Sequence, residues 1–317
     1  MRRRSFLQLS SAALGSNLLA ETPMPMTTLG KTGLKVSRFC LGGYHMATGG
    51  PDEGVRIIHR AIELGVNFFD SANHYHKGLS DETYGKALGG GKRKSVLLMS
   101  KAQLRTGAEA MRQLEETLRR MQTDYLDLWQ CHEVSTHEEV DRILGPKGAL
   151  EAFVKAKQQG KARHIGFTGH HDPSVHQRLL ASYDGWETVQ HPVNLIDPHY
   201  LSFIREVLPK VKAKGLGAIG MKSNAMGSIA KNGIATVPEC LRFALSQSID
   251  TLVSGVQTVA QLEENVAVVK SFRPMSEAEV SALLGRTAKG PRGSSVEQYK
   301  KRERGAAHRV HVDGEPA

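Results

Sequence analysis

The feature that most constrains this chain is an alternation that runs from Ser37 to Lys270. Short apolar runs of strand type recur at residues 37–41, 67–71, 95–100, 125–130, 163–167, 188–190, 218–221 and 251–254. Each is followed by a stretch with helical apolar spacing. Between Asp52 and Leu64, for example, Ile57, Ile58, Ala61, Ile62 and Leu64 share one face, and Gly65 ends the run. Further helices are expected from Ser80, over Thr106 to Met121, over Gly148 to Gln159, from Asp172-Pro173, over Tyr200 to Lys214, over Pro238 to Gln247 and over Val259 to Lys270. Strands separated by helices in this way pair in parallel, because a parallel neighbour needs a crossover connection. Eight such units predict an α/β fold of the (β/α)8 TIM barrel type. A doubly wound sheet would carry Gly-x-Gly-x-x-Gly after its first strand, and none stands there.

Two additions flank the barrel. Thr27-Thr28-Leu29-Gly30 and Leu34-Lys35-Val36-Ser37 surround a Lys-Thr-Gly turn and predict an N-terminal β-hairpin. Beyond Met275 the sequence allows one more helix. From Lys289 it becomes basic, Gly-rich and poor in large apolar residues, which predicts a mobile or surface-draped end. The expected organisation is residues 1–20 as a leader, 26–275 as the barrel and 276–317 as a C-terminal extension.

In parallel α/β folds chemistry gathers at the carboxyl ends of strands. The stretch Phe68 to Leu88, FFDSANHYHKGLSDETYGKAL, places Asp70 and Tyr75 just past the second strand. Lys101 follows the third strand and His132 the fourth. Neighbouring strands lie about 5 Å apart, so the four side chains can meet at one mouth. Asp70, Tyr75, Lys101 and His132 resemble the Asp-Tyr-Lys-His set of the aldo-keto reductases, which implies hydride transfer to a carbonyl; that carbonyl becomes an alkoxide and needs a proton. Tyr75 can donate it, Lys101 can stabilise the phenolate, Asp70 can hold Lys101, and His132 can orient the substrate oxygen. None of these groups supplies hydride, which implies a reduced nicotinamide.

The order Phe-Asp-Ser-Ala, Tyr, Gly, Ser-Asp-Glu, Gly-Lys-Ala-Leu resembles the strand-two signature of the aldo-keto reductases. The opening Leu-Gly-x-Thr-Gly-Leu-x-Val-Ser is similar to theirs too, and implies a hairpin that plugs the barrel floor. The resemblance implies Asp70, Tyr75, Lys101 and His132 as the catalytic set, a small carbonyl substrate, and NADP as cofactor with NAD as the alternative. Gly42-Gly43 would let the backbone approach the cofactor. On the carboxamide side Gln190 matches the family pattern, while Thr168 keeps only the hydroxyl of a Ser-Asn pair. Met221, in the run Gly-Met-Lys-Ser, stands where the family often stacks an aromatic and resembles a bacterial subgroup; Lys222 and Ser223 follow it. Gly255, Gln257, Gln261, Glu264 and Asn265 resemble the adenosine-binding segment, with glutamines at the positions that usually grip a 2′-phosphate.

Composition narrows the partners. The net charge of +10 is dispersed, without an aromatic-interleaved basic stripe, so nucleic acid is not expected; anionic small ligands are favoured. Cys40, Cys131 and Cys240 stand far apart in apolar surroundings, which reads as buried thiols and gives no Cys-x-x-Cys metal site. Arg2-Arg3-Arg4-Ser5-Phe6-Leu7-Gln8 and the apolar stretch Leu9 to Leu19 resemble a twin-arginine export signal, too short for stable membrane insertion. This implies the export machinery as a partner and a periplasmic location, with a cytoplasmic location as the alternative. Two other readings stay open. The strand-end histidines His74, His76, His132, His170, His171 and His191 also suit a metal-dependent hydrolase on the same barrel, against an expectation of no metal. A non-catalytic nucleotide-sensing subunit is the third.

Overall fold

The structure is a computed structural model that describes residues 22–289 and 293–300. The leader expected at residues 1–20 and the last residues, 301–317, lie outside the described residues. The hairpin pairs β1 (Met26–Thr28) antiparallel with β2 (Lys35–Ser37). The barrel strands are β3 (Phe39–Gly42), β4 (Phe68–Asp70), β5 (Leu97–Ala102), β6 (Leu126–Cys131), β7 (Ala162–Thr168), β8 (Thr188–Pro192), β9 (Gly217–Met221) and β10 (Thr251–Gly255). They are parallel and in sequence order, and β10 closes the barrel on β3.

Helices cover the outside. They are α1 (Pro51–Glu63), α2 (Leu79–Ala87), α3 (Gly107–Met121), α4 (His137–Leu144), α5 (Ala149–Gln158) and α6 (Pro173–Ser182). The second half adds α7 (Phe203–Glu206), α8 (Leu208–Ala213), α9 (Ser228–Lys231), α10 (Val237–Ser246), α11 (Val259–Lys270) and α12 (Glu277–Lys289). Among the described residues no helix is long and apolar enough to cross a membrane.

Strand period decides which residues see the barrel axis. Cys40, Phe68, Met99, Leu128, Ile219 and Val253 form an inner cluster with Leu29 and Val36 of the hairpin, so the hairpin does plug the floor. The close approach explains Gly30: a Cβ there would lie 2.2 Å from the Gly217 nitrogen. The alternate residues, such as Phe69, Leu98, Trp129 and Phe167, face the helices in the larger outer core. There Trp129 stacks on Phe153 of α5, with ring centres 3.9 Å apart. Each such ring buries on the order of 150–250 Å2. That is roughly 4–6 kcal/mol of transfer free energy.

Two helices differ from expectation. The segment from Tyr200 to Lys214 breaks into α7 and α8, because Pro209 has no N–H to give to the carbonyl one turn back. Helix α4 lies in a stretch with no expected helix. It starts with a capping box in which the Thr136 hydroxyl and the Glu139 carboxylate satisfy each other's backbone N–H groups.

The described part of the tail, through residue 300, departs from a surface-draped end. Arg286 of α12 donates to Glu239 at 2.8 Å, and His199 meets Thr287 at 2.8 Å. Residues 293–300 then return to the barrel mouth. Lys300 is buried, with Nζ 2.8 Å from both Asp197 and Glu297 and donating to the Tyr200 carbonyl at 2.7 Å. Asn194 donates to Glu297 and Tyr299, each at 2.9 Å. Composition hides this, because beside Val296 and Tyr299, which join an apolar cluster with Leu195 and Ile196, the segment docks through polar and charged groups.

At the opposite end of β8, Glu187 accepts from Lys157 and the Ile165 N–H, at 2.7 and 3.0 Å, and pairs with His164 at 2.7 Å. Burial opposes its charge, yet these partners hold its carboxyl down to about 2. An unfolded Glu titrates near about 4.3. The stabilisation is therefore complete above that value and is lost as pH falls toward about 2. Glu187→Gln is expected to lower stability at pH 7 by roughly 1–3 kcal/mol. The gap to the wild type should close on acidification, as read by denaturant unfolding at a series of pH values. Lys300→Met leaves two carboxyl groups buried without their cation and is expected to cost about 3–5 kcal/mol. A loss under about 1 kcal/mol in the same assay would show that the tail is not anchored this way.

Candidate active site

The inward parity of the strands builds the site. Asp70 is two residues beyond Phe68 on β4, and Lys101 two beyond Met99 on β5. Both side chains are nearly fully buried. Lys101 Nζ donates to Asp70 Oδ1, to the Ser71 carbonyl at 2.7 Å and to Tyr75 Oη at 3.4 Å. Tyr75 sits on a short turn after β4. His76 and Lys77, both in left-handed backbone, swing the chain away behind it. Helix α3 holds that loop: Arg120 donates to the Asn73 carbonyl at 3.0 Å, and Gln113 and Asn73 exchange hydrogen bonds at 3.1 Å. Arg120 packs where a Cβ on Gly78 would stand, 2.4 Å from Cζ, and Gly78 has φ +97°. His132 follows β6, with its ring edge-on to Tyr75 at 5.6 Å between centres.

The structure thus brings the four expected residues together in one group, and three of them, Asp70, Tyr75 and His132, line one cleft of about 920 Å3. Burial, reinforced by the Asp70 and Glu133 charges, pushes the Tyr75 phenol well above its ordinary value, so the ring holds its proton at neutral pH. Burial, then His74 and Lys101, holds the His132 imidazole well below its usual range. It is therefore a neutral ring, and its Nδ1 has no protein partner. Burial raises Asp70 against the opposing pull of Lys101.

Of the expected cofactor set, Gln190, Met221, Lys222, Ser223, Gly255, Gln257 and Gln261 line the cleft. The Gln190 amide is oriented by Gln130, which donates to its oxygen at 3.1 Å, and by the Met221 sulfur, to which it donates at 3.6 Å. Burial brings the Lys222 ammonium down to about 8, with Glu133 pulling the other way. The Gln257 N–H donates to the Gln261 side chain at 2.8 Å.

Four members of that set lie elsewhere. Gly43 is spent on packing: a Cβ there would lie 2.1 Å from the Asp70 carbonyl oxygen and 2.9 Å from Ser80 Oγ. Thr168 accepts the Glu133 N–H at 3.0 Å and so holds the loop after β6. Asn265 is buried and donates to Ser254 Oγ at 3.4 Å, while Glu264 is exposed on α11 outside the cleft. Sequence reasoning missed Tyr44, His45, Glu133, Asn224 and Tyr299, all of which line the cleft. The strand-end rule could have found Tyr44 and Glu133, which follow β3 and β6; nothing local marks Tyr299. Among the described residues no three His, Cys, Asp or Glu side chains could hold a metal ion together. The hydrolase alternative therefore has no ligand set there.

The residues that line the cleft fit a dinucleotide. The volume lies within the range of about 300–1,000 Å3 for ligand pockets. Gly42 and Gly255 line it on adjoining strands, with the His45 ring packed where a Cβ on Gly255 would stand, and Lys222, Ser223 and Asn224 give a charge and polar groups along one wall.

Comparison with known proteins agrees with this geometry. A family model described as the aldo/keto reductase family matches residues 38–236. L-Galactose dehydrogenase of Arabidopsis thaliana is 29% identical, over 83% of this chain and 95% of that protein. An uncharacterized oxidoreductase of Bacillus subtilis is 28% identical, over 87% of this chain and 99% of that protein. The fold resembles that of an aldo-keto reductase of Bacillus halodurans in its holo form, with a TM-score of 0.72, 23% identity and coverage of 86% and 99% of the two chains. It also resembles an aldo-keto reductase of Klebsiella pneumoniae in complex with NADPH, with a TM-score of 0.68, 22% identity and coverage of 82% and 94%. With a β-hairpin under a closed eight-stranded barrel and the family match spanning most of that barrel, this chain belongs to the aldo/keto reductase family of oxidoreductases.

Proposed function

We propose that the protein reduces an aldehyde or ketone to an alcohol, with NADPH as hydride source and Tyr75 as general acid. The observation that carries this reading is the Tyr75 hydroxyl, protonated and 3.4 Å from a Lys101 ammonium that is itself paired with Asp70. A bound reduced nicotinamide supplies the two electrons as hydride to the carbonyl carbon. Gln190, Met221, Lys222, Ser223, Gly255, Gln257 and Gln261 would hold it. As the oxygen becomes an alkoxide it takes the Tyr75 proton. Lys101 is the nearest cation to the phenolate left behind, and Asp70 keeps that cation in place. The neutral His132 ring can donate one hydrogen bond to the same oxygen and orient it. Solvent entering the cleft returns the proton to Tyr75.

The NADPH choice follows the family expectation and the NADPH complex of the Klebsiella pneumoniae relative. NADH is the alternative, because Gln257 and Gln261 bring no positive charge. Export through the twin-arginine machinery to the periplasm is proposed on residues 1–20 alone.

Tyr75→Phe removes the proton and keeps the ring. It is expected to lower kcat by about 100- to 10,000-fold. Dinucleotide binding, followed by fluorescence titration, should survive. Reduction at the wild-type rate would end the proton-donor assignment. The Lys222 charge gives a second expectation. It is present below about 8 and lost above it, so affinity for the anionic dinucleotide should weaken as pH rises through that value or slightly higher. Binding titrations from pH 6 to about 10 should show a flat profile for Lys222→Met; a wild type that is equally flat contradicts the assignment.

A further inference from the structure

The positive charge that lies dispersed along the sequence is gathered by the fold onto one face. Opposite the cleft, the barrel floor consists of the N-terminal hairpin and the loops that lead into the strands. Lys31 and Lys35 of the hairpin, Lys92 and Lys94 before β5, Arg163 at the start of β7 and Lys214 before β9 are exposed there. The hairpin joins these points into one surface. The Lys31 N–H donates to the Gly215 carbonyl at 2.7 Å, next to Lys214. Asn67 donates to the Lys35 carbonyl at 2.9 Å, and its own carbonyl accepts the Leu97 N–H at 2.7 Å, just past Lys92 and Lys94.

The acids of these loops do not balance the lysines. Glu187 and Asp250 are buried beneath the surface, each already paired with a lysine. Asp184 is exposed but holds Lys214 at 2.8 Å, and Asp124 is the other exposed acid among the described residues of these loops. A helix macrodipole favours a lysine in the last turn of a helix, and its reach ends there. It does not account for Lys31 and Lys35, which belong to a hairpin, or for Lys92 and Lys94, which follow Gly89-Gly90-Gly91.

A second observation names the partner. The chain enters the fold at this same face. Met24 packs on the turn into β4, where a Cβ on Gly65 would lie 3.1 Å from Met24 Cβ, and Met26 opens β1. Residues 1–21 are thus joined to the fold beside the basic surface. Their sequence carries Arg2-Arg3-Arg4 and the apolar stretch from Leu9 to Leu19, too short to span a bilayer. A short apolar anchor alone holds a protein to a membrane weakly and reversibly; stable attachment takes a second signal, and a polybasic patch supplies one. Each lysine near an anionic lipid surface strengthens binding by about fivefold. Nucleic acid would answer the lysines but not the apolar stretch, whereas an anionic bilayer answers both. We propose that the barrel floor docks on an anionic lipid surface, with Lys31, Lys35, Lys92 and Lys94 over the headgroups and the Leu9–Leu19 stretch as the second attachment, so that the cleft faces away from the bilayer. The docking does not depend on which reaction the cleft performs.

The test is co-sedimentation of the full-length protein with phosphatidylcholine vesicles that contain about 30% phosphatidylglycerol, against vesicles of phosphatidylcholine alone. The anionic vesicles are expected to bind at least about tenfold more strongly at about 0.1 M salt, and the advantage should fall away near about 1 M, where charges are screened within about 3 Å. Lys92→Glu combined with Lys94→Glu should weaken binding to the anionic vesicles by at least about tenfold. Arg142→Glu combined with Lys231→Glu makes the same change in net charge on exposed residues beyond the carboxyl ends of β6 and β9, and should leave binding within about threefold. Lys31→Glu combined with Lys35→Glu gives the same reading as the first pair should that pair fail to fold. Equal binding to the two kinds of vesicle, an equal loss in the floor and mouth variants, or no loss in either floor variant overturns the proposal. Binding to a DNA duplex and to neither vesicle would assign the surface to nucleic acid and overturn it as well.

Discussion

The buried pair of Lys101 and Asp70 is the interaction on which the rest of the site depends. Its ions are almost completely withdrawn from water, which costs several kcal/mol per ion unless the partners meet in good geometry. That geometry is set by the barrel itself. Met99 lies opposite Asp70 in the β4–β5 register, and Lys101 is the next inward residue along. A slip of one residue on either strand would turn a charge into the apolar layer against the helices. The closed barrel, its plugged floor and the large outer core are what make that slip costly.

From that pair the other elements take their meaning. Lys101 has its remaining bonds to the Ser71 carbonyl and the Tyr75 hydroxyl, so one ammonium ties the strand end to the loop that carries the tyrosine. Burial keeps the phenol protonated and the nearby imidazole neutral, which gives the cleft one proton to donate and no competing cation on His132. Two carboxylates stand close to each other in function but not in role. Asp70 serves the lysine beneath the tyrosine, whereas Glu133 pairs with His170 and faces the open cleft.

Much of this is legible in the sequence where a local rule governs. Period-two alternation and a following helix are short-range signals, so strand ends can be read from residue order alone. That order is enough to put Asp70, Tyr75, Lys101 and His132 at one mouth. What escapes depends on contacts distant in sequence. Gly43 reads as cofactor clearance, but its missing Cβ is required by the Asp70 carbonyl 27 positions on. Thr168 reads as a carboxamide ligand, and its hydroxyl oxygen also accepts the backbone N–H of Glu133, a contact the local sequence does not announce. Tyr299 enters the cleft because Lys300 finds Asp197 across the mouth, which no local pattern announces. Helix α4 is a different kind of miss. Its Thr136–Glu139 capping signature is a local signal, set in a stretch that otherwise reads as a loop.

The central claim is that hydride from a nicotinamide and a proton held on Tyr75 reach opposite ends of one carbonyl. Reduction of an aldehyde with a dinucleotide deuterated at the transferring position, followed by mass analysis of the alcohol, tests it most directly. The account predicts one deuterium on the former carbonyl carbon, and none there when label is supplied only by deuterated water. Label washed out to solvent, or carbon-bound deuterium acquired from the water, would contradict it.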